Sequence, residues 1–184
     1  GIGRRQRQMC IRDRFYSFHP EISNLAELFF KNNWIDASLR KGKASGAFAH
    51  PSVPSLHPYI LVNYQGKIRD VMTLAHELGH GVHQILAGKN GLLMAETPLT
   101  LAETASVFGE MLVFRKLLDE SSIAQKKQLL SGKIEDMLNT VARQIGFHQF
   151  EVKFHEARIK SELTPDEISN CLLYTSDAAD DLYR

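Results

Sequence analysis

The stretch TLAHELGHGVHQ, residues 73–84, constrains the chain most, because it combines a helical apolar pattern with the spacing of a metal site. His76 and His80 are four residues apart, so a helix places both imidazoles on one face, within reach of one cation. Glu77 points to the side of that pair, where it can take a proton from metal-bound water rather than bind the metal. The alternative interpretation is a pair of surface histidines on an ordinary helix.

His83 shares the face of the other two histidines but lies too far along the helix to bind the same ion. At a rise of 1.5 Å per residue, His76 and His83 are about 10.5 Å apart along the axis. Zinc–nitrogen bonds are only about 2 Å long. We therefore interpret His83 as a residue at the edge of the site, as one that contacts a ligand without binding the metal, or as an ordinary surface residue.

A catalytic zinc ion needs three protein ligands and one open position, so a third ligand must come from another element. The segment PLTLAETASVFGEMLVF, residues 98–114, has a helical pattern and carries two carboxylates, Glu103 and Glu110, among apolar residues. Such carboxylates are costly unless they pair with a charge or a metal. Glu103 follows His80 by 23 residues, which is enough for a loop and an antiparallel return helix. Glu96 lies in a predicted loop and ranks last.

The remaining pattern predicts a mainly α protein with a small antiparallel β unit. GAFAHPSV and PYILVNYQ are short, aromatic and β-branched, which is typical of two paired strands. The predicted helices run from Pro20 to Ser38, from the cap Asp70 to Ala87, from Thr97-Pro98 to Leu118, from Lys133 to Ser161, and from the capping box Thr164–Glu167 for no more than two turns.

The two ends differ from the middle. Residues 1–14 carry five arginines and no periodicity, which is typical of a disordered tail or of a basic arm that touches nucleic acid. QMCIRDR near the start and CLLYTSDAADDLYR at the end resemble translated sequencing-adapter read-through. We therefore interpret residues 1–14 and 171–184 as artefactual tails and residues 15–170 as part of a longer catalytic domain.

Composition excludes several classes of protein. The 184 residues are 43% hydrophobic and 23% charged with a net charge of +1, so no global charge favours nucleic acid or a membrane. No apolar run approaches the ~18 residues of a membrane span. Two cysteines near opposite ends make no disulfide framework, and no secretory signal is visible. We expect a cytoplasmic protein with no nucleic-acid or membrane partner.

Residues 43–84 and 98–118, which contain HELGH and the later AETAS…E stretch, resemble the catalytic core of the oligoendopeptidase F family. These are zinc metallopeptidases related to thimet oligopeptidase, with a zincin-like core of the gluzincin type, and the similarity runs through residues 15–170. The resemblance implies hydrolysis of peptide bonds in short peptides, with one Zn²⁺ per chain.

Carried over residue by residue, the resemblance implies that His76, His80 and Glu103 bind zinc. Glu77 would be the general base acting on zinc-activated water. Glu110 corresponds to a glutamate near the site, which we expect to orient a ligand histidine.

An extended substrate can bind at an exposed strand edge by β-augmentation. The candidate edge consists of Ser45, Gly46, Ala47 and Phe48, because Gly46 would let a peptide backbone approach closely. The alternative is an ordinary edge strand with no substrate.

The chain departs from the family in length. Family members are several times longer and carry a downstream segment, rich in histidine and tyrosine, that stabilises the tetrahedral intermediate. The missing partner of this chain would be the remainder of the catalytic domain. We therefore expect this chain by itself to fold poorly and to hydrolyse peptides weakly or not at all.

Three alternatives remain open. The chain could be a different gluzincin, such as an aminopeptidase, although no motif for binding a free amino terminus is visible. It could also be a non-catalytic helical module with a structural zinc, although such sites are usually closed by a fourth ligand, often cysteine. His148, Glu151 and His155 could form a second metal site, against the simpler interpretation of a solvated polar stripe.

Overall fold

The computed structural model describes residues 4–180 of the chain, and the side chains of residues 11–173. Within this range it contains six α-helices, a 3₁₀ turn and three short strands. Their bounds are α1 Arg4–Phe18, α2 Pro20–Lys31, β1 Ile35–Asp36, β2 Phe48–His50, β3 Tyr59–Leu61, α3 Ile68–Gly88, the 3₁₀ turn Leu92–Met94, α4 Leu99–Glu120, α5 Ile123–Lys160 and α6 Pro165–Asp180. The chain forms two compact units, Gly1–Glu120 and Ser121–Arg184.

The core of the first unit lies where α1 and α2 pack against α3 and α4. Its largest fully buried side chains are Ile11, Phe15, Phe29, Ile60, Leu78 and Val113. The ring of Phe29 occupies the space beside Gly81, where a Cβ atom would lie 2.5 Å from the ring. Because real Cβ contacts are never that short, the approach of α2 to α3 depends on a glycine at this position.

A segment predicted as a disordered tail is helical in part. Residues 4–14 belong to α1, and Ile11 and Phe15 are buried. At the other end, α6 continues to Asp180 over 16 residues, where the sequence predicted a helix of no more than two turns. The adapter origin of residues 1–14 and 171–184 stays a prediction, and residues 1–3 and 181–184 lie outside the described range.

The helix predicted to reach Ser38 ends earlier, at Lys31. Asn33 has a left-handed backbone with φ of 58°, which breaks the helix. The chain then extends into β1, which pairs in parallel with β3 through Ile60↔Ile35. The strand β2 pairs with β3 in the predicted antiparallel sense. The sheet order is β1-β3-β2, so the β unit is mixed and three-stranded rather than purely antiparallel.

The turn between β1 and β2 is held by Lys43, whose side chain is 2% exposed. Its ammonium group donates to the backbone carbonyls of Asp36, Ser38 and Val62 at 2.8–2.9 Å and lies 3.2 Å from Oδ1 of Asp36. A buried charge needs such a shell of acceptors. The RKGKASG break is therefore an ordered loop, and Arg40 and Lys43 keep the pKa of Asp36 well below its usual range.

The helices that carry the candidate site begin and end close to the predicted positions. Helix α3 begins at Ile68, and Asp70 lies in its first turn, where its carboxylate accepts from the backbone N–H of Lys67 at 2.9 Å. Helix α4 begins at Leu99 directly after Pro98 and ends at Glu120. The two helices are joined by ten residues, so they are neighbours in space as well as in sequence.

The second unit consists of α5 and α6. Helix α5 is 38 residues long and begins ten residues earlier than predicted, at a capping box formed by Ser122 and Gln125. The predicted capping box of α6 is present, with Oε2 of Glu167 accepting from the backbone N–H and the hydroxyl of Thr164 at 2.8 Å. None of the described helices is both long and apolar enough to cross a lipid bilayer.

Candidate metal centre

Helix α3 presents His76 and His80 side by side. They lie one turn apart, with ring centroids 5.0 Å apart and ring planes inclined at 80°. Both rings are partly buried, with side-chain exposures of 26% and 15%. The helical spacing of four residues therefore places two imidazoles at the same accessible surface, as the sequence predicts.

Helix α4 brings Glu103 to the two histidines. Its Oε2 lies 3.3 Å from Nε2 of His76, and its Oε1 lies 3.5 Å from Nε2 of His80. Two atoms bonded to one tetrahedral zinc ion at about 2 Å lie ~3.3 Å apart. In the described residues, this trio is the group that offers three possible ligand atoms within 4.8 Å of one another.

The approach of α4 to α3 depends on small residues. A Cβ atom at Gly79 would lie 2.6 Å from the carbonyl oxygen of Ala105 and 2.8 Å from Cα of Ser106. A Cβ atom at Gly109 would lie 3.0 Å from the carbonyl oxygen of Ala75. Both obstacles are backbone atoms, so a Cβ atom at Gly79 would force the helices to shift, and one at Gly109 would require the neighbouring backbone to give by a few tenths of an ångström. This close crossing brings the carboxylate of the second helix to the histidines of the first.

Glu77 lies on the buried side of α3, with 6% of its surface exposed. In the part of the chain that the structure describes, its Oε2 has no hydrogen-bond partner. Burial, with a smaller contribution from the charge of Glu103, raises the pKa of Glu77 to about 6, while His76 opposes the shift. A buried carboxylate with a spare oxygen beside a polar cluster is a candidate proton acceptor rather than a structural group.

The histidines have further partners on α4. Nδ1 of His76 lies 3.3 Å from Oε2 of Glu110, so Glu110 lies where it can orient that ring. Burial by itself lowers the pKa of His76, but the bond with Glu110 and the surrounding carboxylate charges outweigh it, and the pKa is raised.

The ring of His80 has the opposite balance. Burial lowers its pKa despite the nearby charge of Glu103 and a hydrogen bond with the backbone of Ala102. A neutral imidazole is the form that binds a metal, so the environment of His80 favours the form that a ligand requires.

The donor set fits a divalent transition metal. Two imidazoles and one carboxylate match the ligands of catalytic zinc sites, which leave a fourth position open. The N–O separations match those around one ion, and one buried oxygen of Glu77 has no other partner among the described residues. The residues present therefore fit the metal that the sequence predicts.

The other candidates lie outside this cluster. His83 and the exposed Glu96 do not belong to the group of possible ligands found in the described residues. His148, Glu151 and His155 are exposed on α5, and they do not form a group of possible metal ligands within the described residues.

The predicted substrate edge is only partly a strand. Of Ser45, Gly46, Ala47 and Phe48, only Phe48 belongs to β2, whereas Ser45 and Gly46 lie in a bend. Gly46 has φ of 84°, so glycine is needed there for the backbone conformation. Its carbonyl oxygen already accepts from the side chain of Asn63 at 3.0 Å.

Three residues near the site were not singled out from the sequence. The hydroxyl of Ser106 donates to Oε2 of Glu103 at 2.9 Å. Ser106 follows Glu103 by three residues, a spacing that places two side chains next to each other on a helix and could have indicated this contact. Gly79 lies inside a helix, where glycine costs ~1 kcal/mol relative to alanine, so its presence indicates that another element packs closely against it. Gln84 donates from Nε2 to the carbonyl oxygen of Ala49 at 3.2 Å, tying β2 to α3. No local pattern predicts that contact.

Comparison with known proteins identifies the family. The family model described as Peptidase family M3 matches residues 13–178. That match includes residues 171–178 of the segment interpreted as a tail. The chromosomal oligoendopeptidase F of Lactococcus lactis subsp. cremoris is 34% identical over 157 residues, which make up 84% of this chain and 26% of that protein.

Two further proteins support the same conclusion. An oligoendopeptidase F homologue of Borreliella burgdorferi is 38% identical over 135 residues, covering 72% of this chain and 23% of that protein. The crystal structure of a candidate peptidase from Chlamydophila abortus has a TM-score of 0.69 at 28% identity, covering 94% of this chain and 30% of that one. The chain thus spans about a quarter to a third of the length of these proteins. The resemblance to oligoendopeptidase F is confirmed, and the chain belongs to peptidase family M3.

Proposed function

We propose that this chain is the zinc-binding core of an endopeptidase that hydrolyses peptide bonds in short peptides. The observation that carries the proposal is the convergence of His76, His80 and Glu103, whose ligand atoms lie within 4.8 Å of one another. The buried carboxylate of Glu77 lies on the same helix as the two histidines. Membership of a peptidase family supports a hydrolytic rather than a purely structural site.

In this proposal His76, His80 and Glu103 hold one Zn²⁺, in a core of the zincin type. When bound, the metal would supply Lewis-acid polarisation of water and of the scissile carbonyl. The rest of the chemistry depends on the orientation of the rings. Glu110 would fix the ring of His76 through Nδ1, which leaves Nε2 of that ring directed toward Glu103.

Glu77 is the proposed general base. A carboxyl with a pKa of about 6 is mostly ionised at neutral pH and holds an abstracted proton more firmly than an ordinary glutamate. It would take a proton from water at Oε2, which has no hydrogen-bond partner among the described residues, and later deliver it to the leaving amine. Burial would keep bulk water from competing for that proton.

The substrate is proposed to bind in an extended conformation beside β2. That strand lies at one end of the sheet order, so among the described strands it has a single partner. The backbone of Ala47 and Phe48 is the best candidate for pairing, with Ser45 and Gly46 in the bend that precedes it. The carbonyl oxygen of Ala49 accepts from Gln84, which ties the strand to the helix that carries the histidines. Such pairing would bind a peptide through its main chain, with little demand on its sequence.

The test is hydrolysis of a fluorescence-quenched peptide with the chain in excess over the peptide, so that slow turnover is measurable. We expect cleavage that requires zinc and stops with a chelator. Glu77→Gln should lower the rate by about 10²–10⁴-fold while keeping the zinc stoichiometry. Glu96→Gln, which alters an exposed carboxylate, is the matched control and should leave the rate unchanged.

Three outcomes would contradict the proposal. Equal cleavage by wild type and Glu77→Gln would remove Glu77 as the base. A metal site closed by a fourth protein ligand, with no bound water detectable in the Co²⁺-loaded chain, would favour the alternative of a structural zinc in a non-catalytic module. Cleavage of peptides only when their amino terminus is free would favour an aminopeptidase.

A further inference from the structure

We propose that Ser106 is a positioning residue that holds the carboxylate of Glu103 toward the two histidines and so sets the metal affinity of the site. This inference rests on the proposed metal site and adds a residue to it. Ser106 differs from Thr104, another hydroxyl residue of α4, because its side chain contacts a carboxylate, whereas that of Thr104 contacts a backbone carbonyl.

The contact joins Ser106 directly to a proposed ligand atom. Its Oγ donates to Oε2 of Glu103 at 2.9 Å, and the same Oε2 lies 3.3 Å from Nε2 of His76. The other oxygen of Glu103 faces His80. The hydroxyl thus holds the carboxylate in an orientation with one oxygen toward each histidine, because tilting the group away from this orientation would break the bond.

Glu103 needs such a constraint. Its side chain is 44% exposed, and a long side chain at the surface samples many rotamers. Ser106 is its opposite in this respect, because it is 0% exposed and lies at the close helix crossing, with its Cα near Gly79. The rigid crossing therefore provides a fixed donor for a mobile acceptor.

A purely local explanation exists for the same hydroxyl. Serine inside a helix commonly donates to a backbone carbonyl one turn back, and Oγ of Ser106 is 3.0 Å from the carbonyl oxygen of Glu103. The hydroxyl has one proton for the two acceptors. The carboxylate is charged and the carbonyl also serves the helical hydrogen-bond ladder, so the carboxylate is the stronger acceptor.

The experiment is a zinc titration of the metal-free chain, with a competing chelator as indicator. We expect Ser106→Ala to weaken zinc binding by about 10–100-fold, as is typical when a group that orients a ligand is removed. Thr104→Ala is the matched control, because it removes a hydroxyl of α4 that donates to the backbone of Thr100. That control should bind zinc as wild type does.

A second comparison isolates the route through Glu103. In a Glu103→Ala background, Ser106→Ala should cause no further loss of zinc affinity, because the group it positions is gone. Cobalt provides a separate readout, since the visible spectrum of a Co²⁺-loaded chain should change in Ser106→Ala and not in Thr104→Ala.

The outcomes separate this inference from the function on which it rests. Failure of the wild-type chain to bind zinc would remove the metal site itself. Wild-type affinity in Ser106→Ala, with an unchanged cobalt spectrum, would overturn the positioning role alone. An equal loss of affinity in the presence and absence of Glu103 would also overturn it, because Ser106 would then act through the packing of the helices.

Discussion

At the scale of single residues, Glu77 is a charged group kept in an environment that disfavours charge. Its 6% exposure and its unpartnered oxygen, among the described residues, are costly for folding. Functional groups of this kind commonly reduce stability where they serve the chemistry. The raised pKa of Glu77 is the electrostatic expression of the same cost.

We therefore expect Glu77→Gln to stabilise the metal-free chain at neutral pH by about 1 kcal/mol, because the substitution removes a poorly solvated charge and keeps the shape of the side chain. Urea denaturation of the two proteins, compared at low protein concentration, measures the difference. Glu96→Gln, as an exposed control, should change the free energy of unfolding by less than about 0.5 kcal/mol. A loss of stability in Glu77→Gln would mean that the carboxylate is well satisfied in the fold.

Local signals predicted two of the cluster's residues and narrowed the choice of the third. His76 and His80 follow from helical spacing, and the cost of a carboxylate in an apolar helix singles out Glu103 and Glu110 alike. The resemblance to the family then selects Glu103 of the two. Ser106 and Gln84 could not be ranked in this way, because serine and glutamine are common on helices and their contacts depend on the tertiary structure.

At the scale of elements, the site depends on how closely α3 and α4 cross. The crossing brings together residues 23–34 positions apart, and Gly79 and Gly109 provide the space. A larger residue at either position pushes backbone against backbone, which a packed core resists. The geometry of the candidate metal site is thus coupled to the packing of two helices.

We expect Gly79→Ala to destabilise the chain by about 1–3 kcal/mol and to weaken zinc binding, because its Cβ would collide with α4 and move Glu103 away. Thermal unfolding and zinc titration of the variant measure both effects. Gly132→Ala is the matched control, since, apart from the adjacent backbone of α5 itself, no described atom lies within 4 Å of the new Cβ. Alanine there should be neutral or stabilising, by up to about 1 kcal/mol. Wild-type zinc affinity in Gly79→Ala would show that the crossing does not position Glu103.

Local caps predicted the starts of α4 and α6, but the capping box that starts α5 was missed, and boundaries that depend on distant pairing were predicted poorly. The start of α6 follows from a capping box, and Pro98 marks the start of α4. The strand β1 has only two residues and forms because β3 pairs with it. Two residues are too few to show the alternating pattern of a strand in the sequence. The helical pattern of the sequence therefore predicts one helix from Pro20 to Ser38, which includes the residues of β1.

At the scale of the whole molecule, the second unit exposes an apolar surface. Helix α5 has a stripe of side chains that are each at least 40% exposed: Leu130, Ile134, Met137, Leu138, Val141 and Ile145. Contiguous apolar surface of this kind favours association in water. We refer to these six residues as the α5 stripe.

We expect the chain to self-associate in a concentration-dependent way through the α5 stripe, because burial of exposed apolar surface is favourable. Light scattering coupled to size exclusion measures the mass. Leu138→Lys with Val141→Lys should reduce association, whereas Gln144→Lys with Gln149→Lys adds the same charge at exposed polar positions and should not. A monomer at every concentration would contradict this prediction.

The fold class could be predicted from the sequence because helical periodicity dominates the chain. The residues that carry the family resemblance form a pair of motifs, each continuous in sequence, at residues 43–84 and 98–118. The family followed from that pair and was confirmed over most of the chain. The parallel strand pair could not be predicted, because its partners lie 25 residues apart and no local residue specifies the register.

The central claim is that His76, His80 and Glu103 together bind one metal ion. Zinc titration of the metal-free chain tests it most directly, with His76→Ala, His80→Ala and Glu103→Ala as single variants and Glu96→Ala as the control. We predict one zinc ion per chain, a loss of at least about tenfold in affinity for each of the three variants, and no loss for the control. Zinc affinity that survives all three substitutions, or that falls equally with the control, would contradict the claim.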